Sequence, residues 1–195
     1  MTDAPPETLF IDRLSTPLGE ALLVTDDAGF LRAFDWSDHD ERLRRLMRRY
    51  YGEKVALREG PAPSAIRSAI DAYFAGNLEA IDAIPCKTAG TDFQKSAWRA
   101  LRDIPVGQTV SYGEQAKRMG SPKAMRAVGL ANGANPIGLV VPCHRVIGAN
   151  GTLTGYGGGL HRKLWLLRHE GAALASGAAD RERRPGRSGP GQRSA

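Results

Sequence analysis

Three helix starts fall close together between Thr91 and Pro122, and they constrain the fold of this chain more than any other feature. Thr91-Asp92-Phe93-Gln94 has the spacing of a capping box, in which the first side chain accepts from the fourth residue's amide and the fourth side chain reaches back. Phe93, Ala97, Leu101 and Ile104 then share one helical face until Pro105-Val106-Gly107 ends it. Ser111-Tyr112-Gly113-Glu114 repeats the box spacing, and Gly120 ends the short helix that follows. Ser121-Pro122 places proline at the first position of the next helix. Starts this dense allow only short helices, which must bury their apolar faces against one another. Two of them joined by a tight Gly-containing turn form a helix-turn-helix candidate, a pattern also met in domains that never touch DNA.

The formal charge of +6 is divided unevenly: residues 1–88 carry −4, residues 89–172 carry +7 and residues 173–195 carry +3. The division points to a polyanionic partner for the second segment alone, against the alternative of a solvated basic face. No run approaches the roughly 18 apolar residues of a membrane span. The amino end, MTDAPPETLF, is acidic and proline-bearing where a signal peptide is basic and then apolar, so the cytosol is the expected compartment. Cys86 and Cys143 form no CxxC pair, which predicts reduced thiols and neither a disulfide framework nor a zinc cluster.

The first segment reads as a small α/β unit. EALLVT and FLRAFDW flank a hairpin turn at Asp26-Asp27-Ala28-Gly29. Asp38 and Glu41 have capping-box spacing ahead of a helix carrying Leu43, Leu46, Met47 and Tyr50 and ending at Gly52. A second helix carries Ile66, Ile70, Tyr73 and Phe74, residues expected in a core. From about residue 77 to 90 the helical period is lost, which marks a connecting segment with an inert Cys86 inside it. The Gly-, Pro-, Ser- and Arg-rich stretch 173–195 is expected to be a disordered tail.

The helix expected after Ser121, PKAMRAVGLANG, is built from Ala124, Ala127, Gly129, Ala131 and Gly133, with Lys123 and Arg126 as its only long cations. Readers of base sequence need Arg, Lys, Asn or Gln on base edges. A helix of small residues instead approaches DNA closely, holds phosphates and discriminates little between sequences, although some of its alanines must face the core.

Cys143 stands in VVPCHRVI, between a proline and a histidine. An ordinary thiol, with a pKa of about 8.5, needs a base or a positive field to act as a nucleophile at neutral pH. Side chains adjacent on an extended strand point apart, so a link between Cys143 and His144 requires a bend or a bridging water, and Pro142 makes a bend plausible. Glu170 follows a helix carrying Leu160, Leu164 and Leu167, where the helix dipole disfavours a carboxylate. It is either solvated or partnered by a cation or an imidazole. Gly155-Tyr156-Gly157-Gly158-Gly159 matches neither phosphate-loop template and makes room for a flat ligand or a close backbone.

Taken together these residues resemble the O6-alkylguanine-DNA alkyltransferases, also called methylated-DNA–protein-cysteine methyltransferases. The resemblance runs from TDFQKSAWRALRDIPVGQTVSYGE through SPKAMRAVGLANGANPIGLVVPCHRVIGANGTLTGYGGGLHRKLWLLRHEG, essentially residues 91–171. A weaker resemblance of the same kind covers residues 10–80. It implies an α+β chain: a ribonuclease-H-like α/β amino-terminal domain over 1–88, then a mainly helical domain with a helix-turn-helix over 89–172.

The implied activity is repair in which Cys143 takes the alkyl group from O6 of guanine, and from O4 of thymine, in a single turnover. His144, through a water, would accept the thiol proton, Glu170 would orient the imidazole, and Asn135 would complete the network. Tyr112 would protonate or polarise the leaving base. Lys123, Arg126, Ala127 and Ala131 would contact the minor groove, with Arg126 entering the stack in place of the extruded nucleotide. Val146, Tyr156, Gly157 and Gly158 would line the base pocket; some family members have Ser where Gly157 stands. Some family members bind structural zinc through the amino-terminal domain; this chain lacks the cysteines for it there, so no metal is expected, and no cofactor. The implied partner is duplex DNA holding alkylated bases, bound by a monomer that needs no other protein. The alternative, a lesion-binding protein without chemistry, is disfavoured by the thiol itself.

Overall fold

A computed structural model of the chain describes Pro6 and residues 8–174, and has a mixed α+β architecture. Strands β1 (Thr8–Thr16), β2 (Gly19–Thr25), β3 (Leu31–Trp36) and β4 (Ala56–Glu59) form one sheet in the order β3-β2-β1-β4. Helix α1 (Asp40–Tyr51) connects β3 to β4, and α2 (Ser64–Phe74) follows. β1 pairs antiparallel with β2 and parallel with β4, and β2 pairs antiparallel with β3. The β2–β3 hairpin is the one expected from sequence, whereas β1 and β4 are additions. β2 is interior, and its Leu22, Leu23 and Val24 are fully buried, as a strand covered on both faces requires.

Alternation along the strands gives the sheet two apolar faces. Leu9, Ile11, Leu22, Val24 and Ala33 meet Leu43, Leu46 and Met47 of α1 on one side. On the other, Leu14, Leu23, Phe34 and Trp36 meet Ile66, Ile70 and Tyr73 of α2, and that core continues into Trp98, Leu101, Ile137, Val140 and Leu166. The β3 edge is covered by two extended pieces of chain. Leu31 donates to Pro85 O at 2.8 Å and accepts from the Lys87 amide at 3.1 Å, which draws Cys86 in the connecting segment against the sheet. Phe34 donates to Pro136 O at 2.9 Å and accepts from the Gly138 amide at 3.1 Å. That second pairing anchors the stretch leading to Cys143.

The remaining helices are α3 (Asp92–Arg102), α4 (Tyr112–Arg118), α5 (Met125–Gly133) and α6 (Leu160–His169), with β5 (Val110–Ser111) and β6 (Val146–Ile147) as a short parallel ladder. The Thr91 box forms in full: the Gln94 amide donates to Thr91 Oγ1 at 3.2 Å and the Thr91 amide to Gln94 Oε1 at 3.0 Å. Buried Gln115 and Asn132 exchange amide hydrogen bonds of 2.7 and 3.2 Å, and Gln115 also donates to Ala97 O at 3.1 Å. This pair ties α3, α4 and α5 together.

Three expectations need correction. The helix expected from Pro122 begins at Met125, because Ser121–Ala124 closes a turn in which the Ala124 amide donates to Ser121 O at 2.8 Å; Lys123 therefore sits in the turn. The Asp38–Glu41 box does not form: Ser37–His39 is a single 3-10 turn, and Asp38 instead accepts from Arg162 at 3.0 Å. Ser111 caps α4 by accepting from the Glu114 amide at 3.1 Å, but Glu114 turns to Arg118, so that box is only half made. Among the described residues no helix is long and apolar enough to cross a membrane. The tail expected from residue 173 lies outside the described residues beyond 174.

Candidate active site

The bend expected at Pro142 is present. Pro142 has φ −82° and ψ 65°, and the Cys143 amide donates to Val141 O at 2.8 Å, the geometry of an inverse γ-turn. A 3-10 turn over Cys143–Arg145 follows at once, so Cys143 and His144 leave the extended conformation that would point them apart. Asn135 fastens this corner: its Nδ2 donates to Val141 O at 2.8 Å and its Oδ1 accepts from the Ile137 amide at 3.0 Å. Burial pushes the Cys143 thiol up, and a hydrogen bond with Asn135 and the charges of Lys163 and Arg42 work against that rise. The thiol therefore needs a base.

His144 is fully buried, and its Nε2 lies 2.9 Å from Glu170 Oε1. Burial lowers its pKa, outweighing the carboxylate's opposite pull, so the ring is neutral at neutral pH. Burial alone would raise the Glu170 pKa, but the hydrogen bonds and charges of His144 and Arg145 outweigh it and hold the carboxyl well below the usual range. An ionised carboxylate only accepts hydrogen bonds, so Nε2 carries the imidazole proton and Nδ1 carries the lone pair. That Nδ1 is buried without a protein partner. The arrangement is a neutral base with its basic atom free and its orientation fixed from behind.

Glu170 is not the solvated alternative. It accepts from Arg145 Nε at 2.9 Å and Nη2 at 3.0 Å and from Tyr73 Oη at 2.9 Å, in addition to His144. Arg145 Nη1 donates to Ile104 O at 2.6 Å. Lys163, also buried, donates to Val146 O at 2.6 Å and Thr154 O at 2.8 Å; burial brings its pKa down to about 8, against a contrary pull from Cys143.

Tyr112, the first residue of α4, directly follows the β5–β6 ladder, in which Val110 faces Val146 and Ser111 faces Ile147. Its hydroxyl accepts from Thr154 Oγ1 at 3.2 Å. Val146 is buried within the same ladder. Tyr156 donates to Gly138 O at 3.0 Å and presents its ring edge-on to His144. The glycines of this loop admit side chains from the first half of the molecule: a Cβ at Gly157 would lie 2.6 Å from the Arg42 guanidinium carbon, and one at Gly158 would lie 2.4 Å from Trp36 Nε1. Close packing, rather than a flat ligand, occupies that room. The recess at Cys143, walled by Trp36, Arg42, Gly138, Tyr156, Gly157 and Gly158, is small, about 10 Å³. A larger cavity of about 490 Å³ lies beyond Val141 beside Cys86, Lys95, Trp98 and Arg99, and holds none of the residues singled out for chemistry. Burial pushes the Cys86 thiol up to about 11, in keeping with an inert residue.

On α5, Arg126, Ala127, Leu130 and Gly133 are exposed at spacings that share one face, with Lys123 just before them in the turn. Ala131 does not join this face: it is buried, and its carbonyl accepts from Trp98 Nε1 at 2.9 Å. Its expected contact with DNA is thus not available in this fold, because α3 packs over it.

Four residues of the site were not singled out from sequence: Arg145, Tyr73, Lys163 and Arg42. Arg42, from α1, pairs with Asp35 and donates to Gly133 O and Asn135 O, each at 3.1 Å, while Tyr50 Oη donates to the intervening Ala134 O at 2.7 Å. These three carbonyls fix the backbone that presents Asn135. The one signal for Arg145 is weak: residues 89–172 hold only four acids, Glu170 among them, so a cation buried there has few carboxylates to meet.

Comparison with known proteins identifies the family. The family model described as 6-O-methylguanine DNA methyltransferase, DNA binding domain, matches residues 92–172. A methylated-DNA–protein-cysteine methyltransferase of Shigella flexneri is 48% identical over 167 residues, which is 85% of this chain and 98% of that protein. One of Salmonella typhimurium is 49% identical with the same coverage. The crystal structure of the O6-methylguanine methyltransferase of Mycobacterium tuberculosis superposes with a TM-score of 0.70 and 39% identity, covering 86% of this chain and 96% of that one. A Mycobacterium tuberculosis OGT structure in complex with DNA superposes with a TM-score of 0.69 and 39% identity, over 84% and 92% of the two chains.

Proposed function

Because the chain belongs to the methylated-DNA–protein-cysteine methyltransferase family, we infer that it repairs DNA by taking the alkyl group from O6 of guanine onto its own Cys143, with O4-alkylthymine as a second substrate. The observation that carries the assignment to Cys143 is local. This thiol stands at a γ-turn corner beside a neutral imidazole whose proton is held on the Glu170 side and whose Nδ1 lone pair has no protein partner.

In the reaction, the thiol proton passes through a water to His144 Nδ1, and the imidazolium that forms is stabilised by the Glu170 carboxylate. The sulfur attacks the alkyl carbon in line, an S–C bond forms, the C–O6 bond breaks, and the electron pair leaves with the guanine. Tyr112 donates a proton or hydrogen bond to the departing base. Asn135 holds the turn and its hydrogen bond favours the thiolate. The product is a thioether, a poor leaving group, so each molecule acts once.

The substrate base must leave the duplex stack to reach the sulfur, at an energetic cost of a few kcal/mol that is smaller for a damaged pair. The chain is organised as a ribonuclease-H-like unit to residue 88, with its connecting segment from about 77, and a DNA-binding unit over 89–172. In this reading α4 and α5 are the helix-turn-helix, laid in the minor groove, with Arg126 filling the place of the extruded nucleotide and Lys123 on a phosphate. The exposed face of Arg126, Ala127, Leu130 and Gly133, small apart from Arg126 and Leu130, and the +7 charge of residues 89–172 support close approach to a polyanion. The protein acts as a monomer in the cytoplasm.

The test is direct. Duplex DNA carrying O6-[methyl-³H]guanine, incubated with excess protein, is expected to deliver its label in full, one per lesion, to the peptide containing Cys143. Cys143→Ala retains duplex binding and takes no label. Continuous release of label into solution, or labelling that survives Cys143→Ala, would falsify the assignment.

A further inference from the structure

We propose that Tyr73, on α2 in the amino-terminal unit, is a positioning residue of the base that activates Cys143: its phenol holds Glu170 and, through that carboxylate, sets how strongly the His144 imidazole takes up a proton. This rests on the reading of Cys143 and His144 given above.

Tyr73 is fully buried, and its Oη lies 2.9 Å from Glu170 Oε1. The same oxygen accepts from His144 Nε2 at 2.9 Å and Arg145 Nη2 at 3.0 Å. The Tyr73 backbone carbonyl also lies 2.8 Å from Nε2 of His169, whose ring packs against the Tyr73 ring with centroids 5.2 Å apart. One residue thus grips two consecutive positions at the end of α6, one through its main chain and one through its side chain. Burial and the carboxylate keep the phenol protonated, so it serves only as donor.

Three donors on one carboxylate oxygen divide its electron density among them. Each weakens the acceptor that the others use, so the hydroxyl of Tyr73 makes Oε1 a poorer partner for the imidazolium than it would otherwise be. The imidazole consequently stays neutral to lower pH and is available as a base. The other charged or titratable groups facing the pair are Arg145 on Glu170, Lys163 and Tyr156 toward His144, and His169 on Tyr73; all of them are retained when the phenol oxygen is removed. Tyr73→Phe therefore isolates the effect, since the ring and its packing are retained.

Two readouts test this in the full chain. The His144 ring is titrated by ¹⁵N NMR, and single-turnover transfer from O6-methylguanine duplex is measured across the same pH range. In Tyr73→Phe the imidazole midpoint is expected to move up on the order of half a pH unit, a fraction of what a hydrogen bond to a charged group can supply, and the acid limb of the rate to move with it. Site-specific 3-fluorotyrosine at position 73, a stronger donor, is expected to move both downward, and keeps the proposal testable if Tyr73→Phe fails to fold. A purely packing role lowers the rate or the melting temperature with neither midpoint displaced, and that result overturns the proposal. Failure of the wild-type protein to label Cys143 refutes the repair reading instead, while the NMR midpoint still tests the link from Tyr73 to His144 on its own.

Discussion

Glu170 is the most heavily engaged side chain of the site, and its partners decide what each substitution does. Arg145 is the only full cation among them, and both residues are almost wholly buried. Removing one member of such a pair strands the other in low dielectric. Arg145→Met is therefore expected to lower the unfolding free energy by about 3–5 kcal/mol in urea denaturation. Arg145→Lys should recover little of it, because a single ammonium cannot reproduce the two-pronged contact. The pH dependence has a definite sign. Glu170 has a lowered pKa in the folded state, so the stability it contributes is present above the ordinary carboxyl value of 4.5 and is lost as pH falls through the folded one. Without Arg145 the folded value rises, and acid unfolding followed by circular dichroism should begin at higher pH. These partnerships are only partly legible in the chain. A carboxylate at the end of α6 reads as anomalous, which is why an imidazole or cationic partner is among the expectations. Tyr73 and Arg145 look like a core aromatic and a surface cation until folding brings them to within 3 Å of the same carboxylate.

At the scale of elements, local rules succeed where no distant residue diverts the capping side chain. Thr91 keeps its hydroxyl for the Gln94 amide and the box closes, whereas Asp38 is drawn off by Arg162 of α6, a residue no local pattern could bring near. The β2–β3 hairpin is legible from its alternation and its turn; β1, although it lies in the middle of the sheet, is not, and neither is its short parallel partner β4. On α5 the exposed face carries one residue that a stripe of small residues does not announce: Leu130, 77% exposed, one turn beyond Arg126. If this face lies in the minor groove, Arg126 and Leu130 contribute differently. Arg126→Ala is expected to slow transfer from duplex DNA far more than transfer from free O6-benzylguanine. Leu130→Ala is expected to weaken duplex binding by about tenfold, the low end of the value of burying one leucine, while leaving the salt dependence of binding unchanged. Fluorescence anisotropy at several salt concentrations separates the two; a changed salt slope for Leu130→Ala would contradict its placement as an apolar contact.

For the whole molecule, the governing fact is that the sheet and the helices that follow it share one core. Trp36 and Phe34 from the sheet, Tyr73 from α2, Trp98 from α3 and Leu166 from α6 belong to a single buried cluster. The β3 edge, the Arg42 and Tyr50 contacts on Gly133–Asn135, and the Tyr73–Glu170 bond all join the first half of the chain to the second. A single cooperative transition is expected, with tryptophan fluorescence and far-ultraviolet circular dichroism giving the same urea midpoint. Two separated midpoints would show that the halves unfold independently.

The closeness of the walls around Cys143 bears on which lesions are repaired. A recess of about 10 Å³ holds about one water and no nucleobase. On the proposed function, a base that reaches the sulfur must first widen this recess, whose walls include the side chains of Trp36, Arg42 and Tyr156.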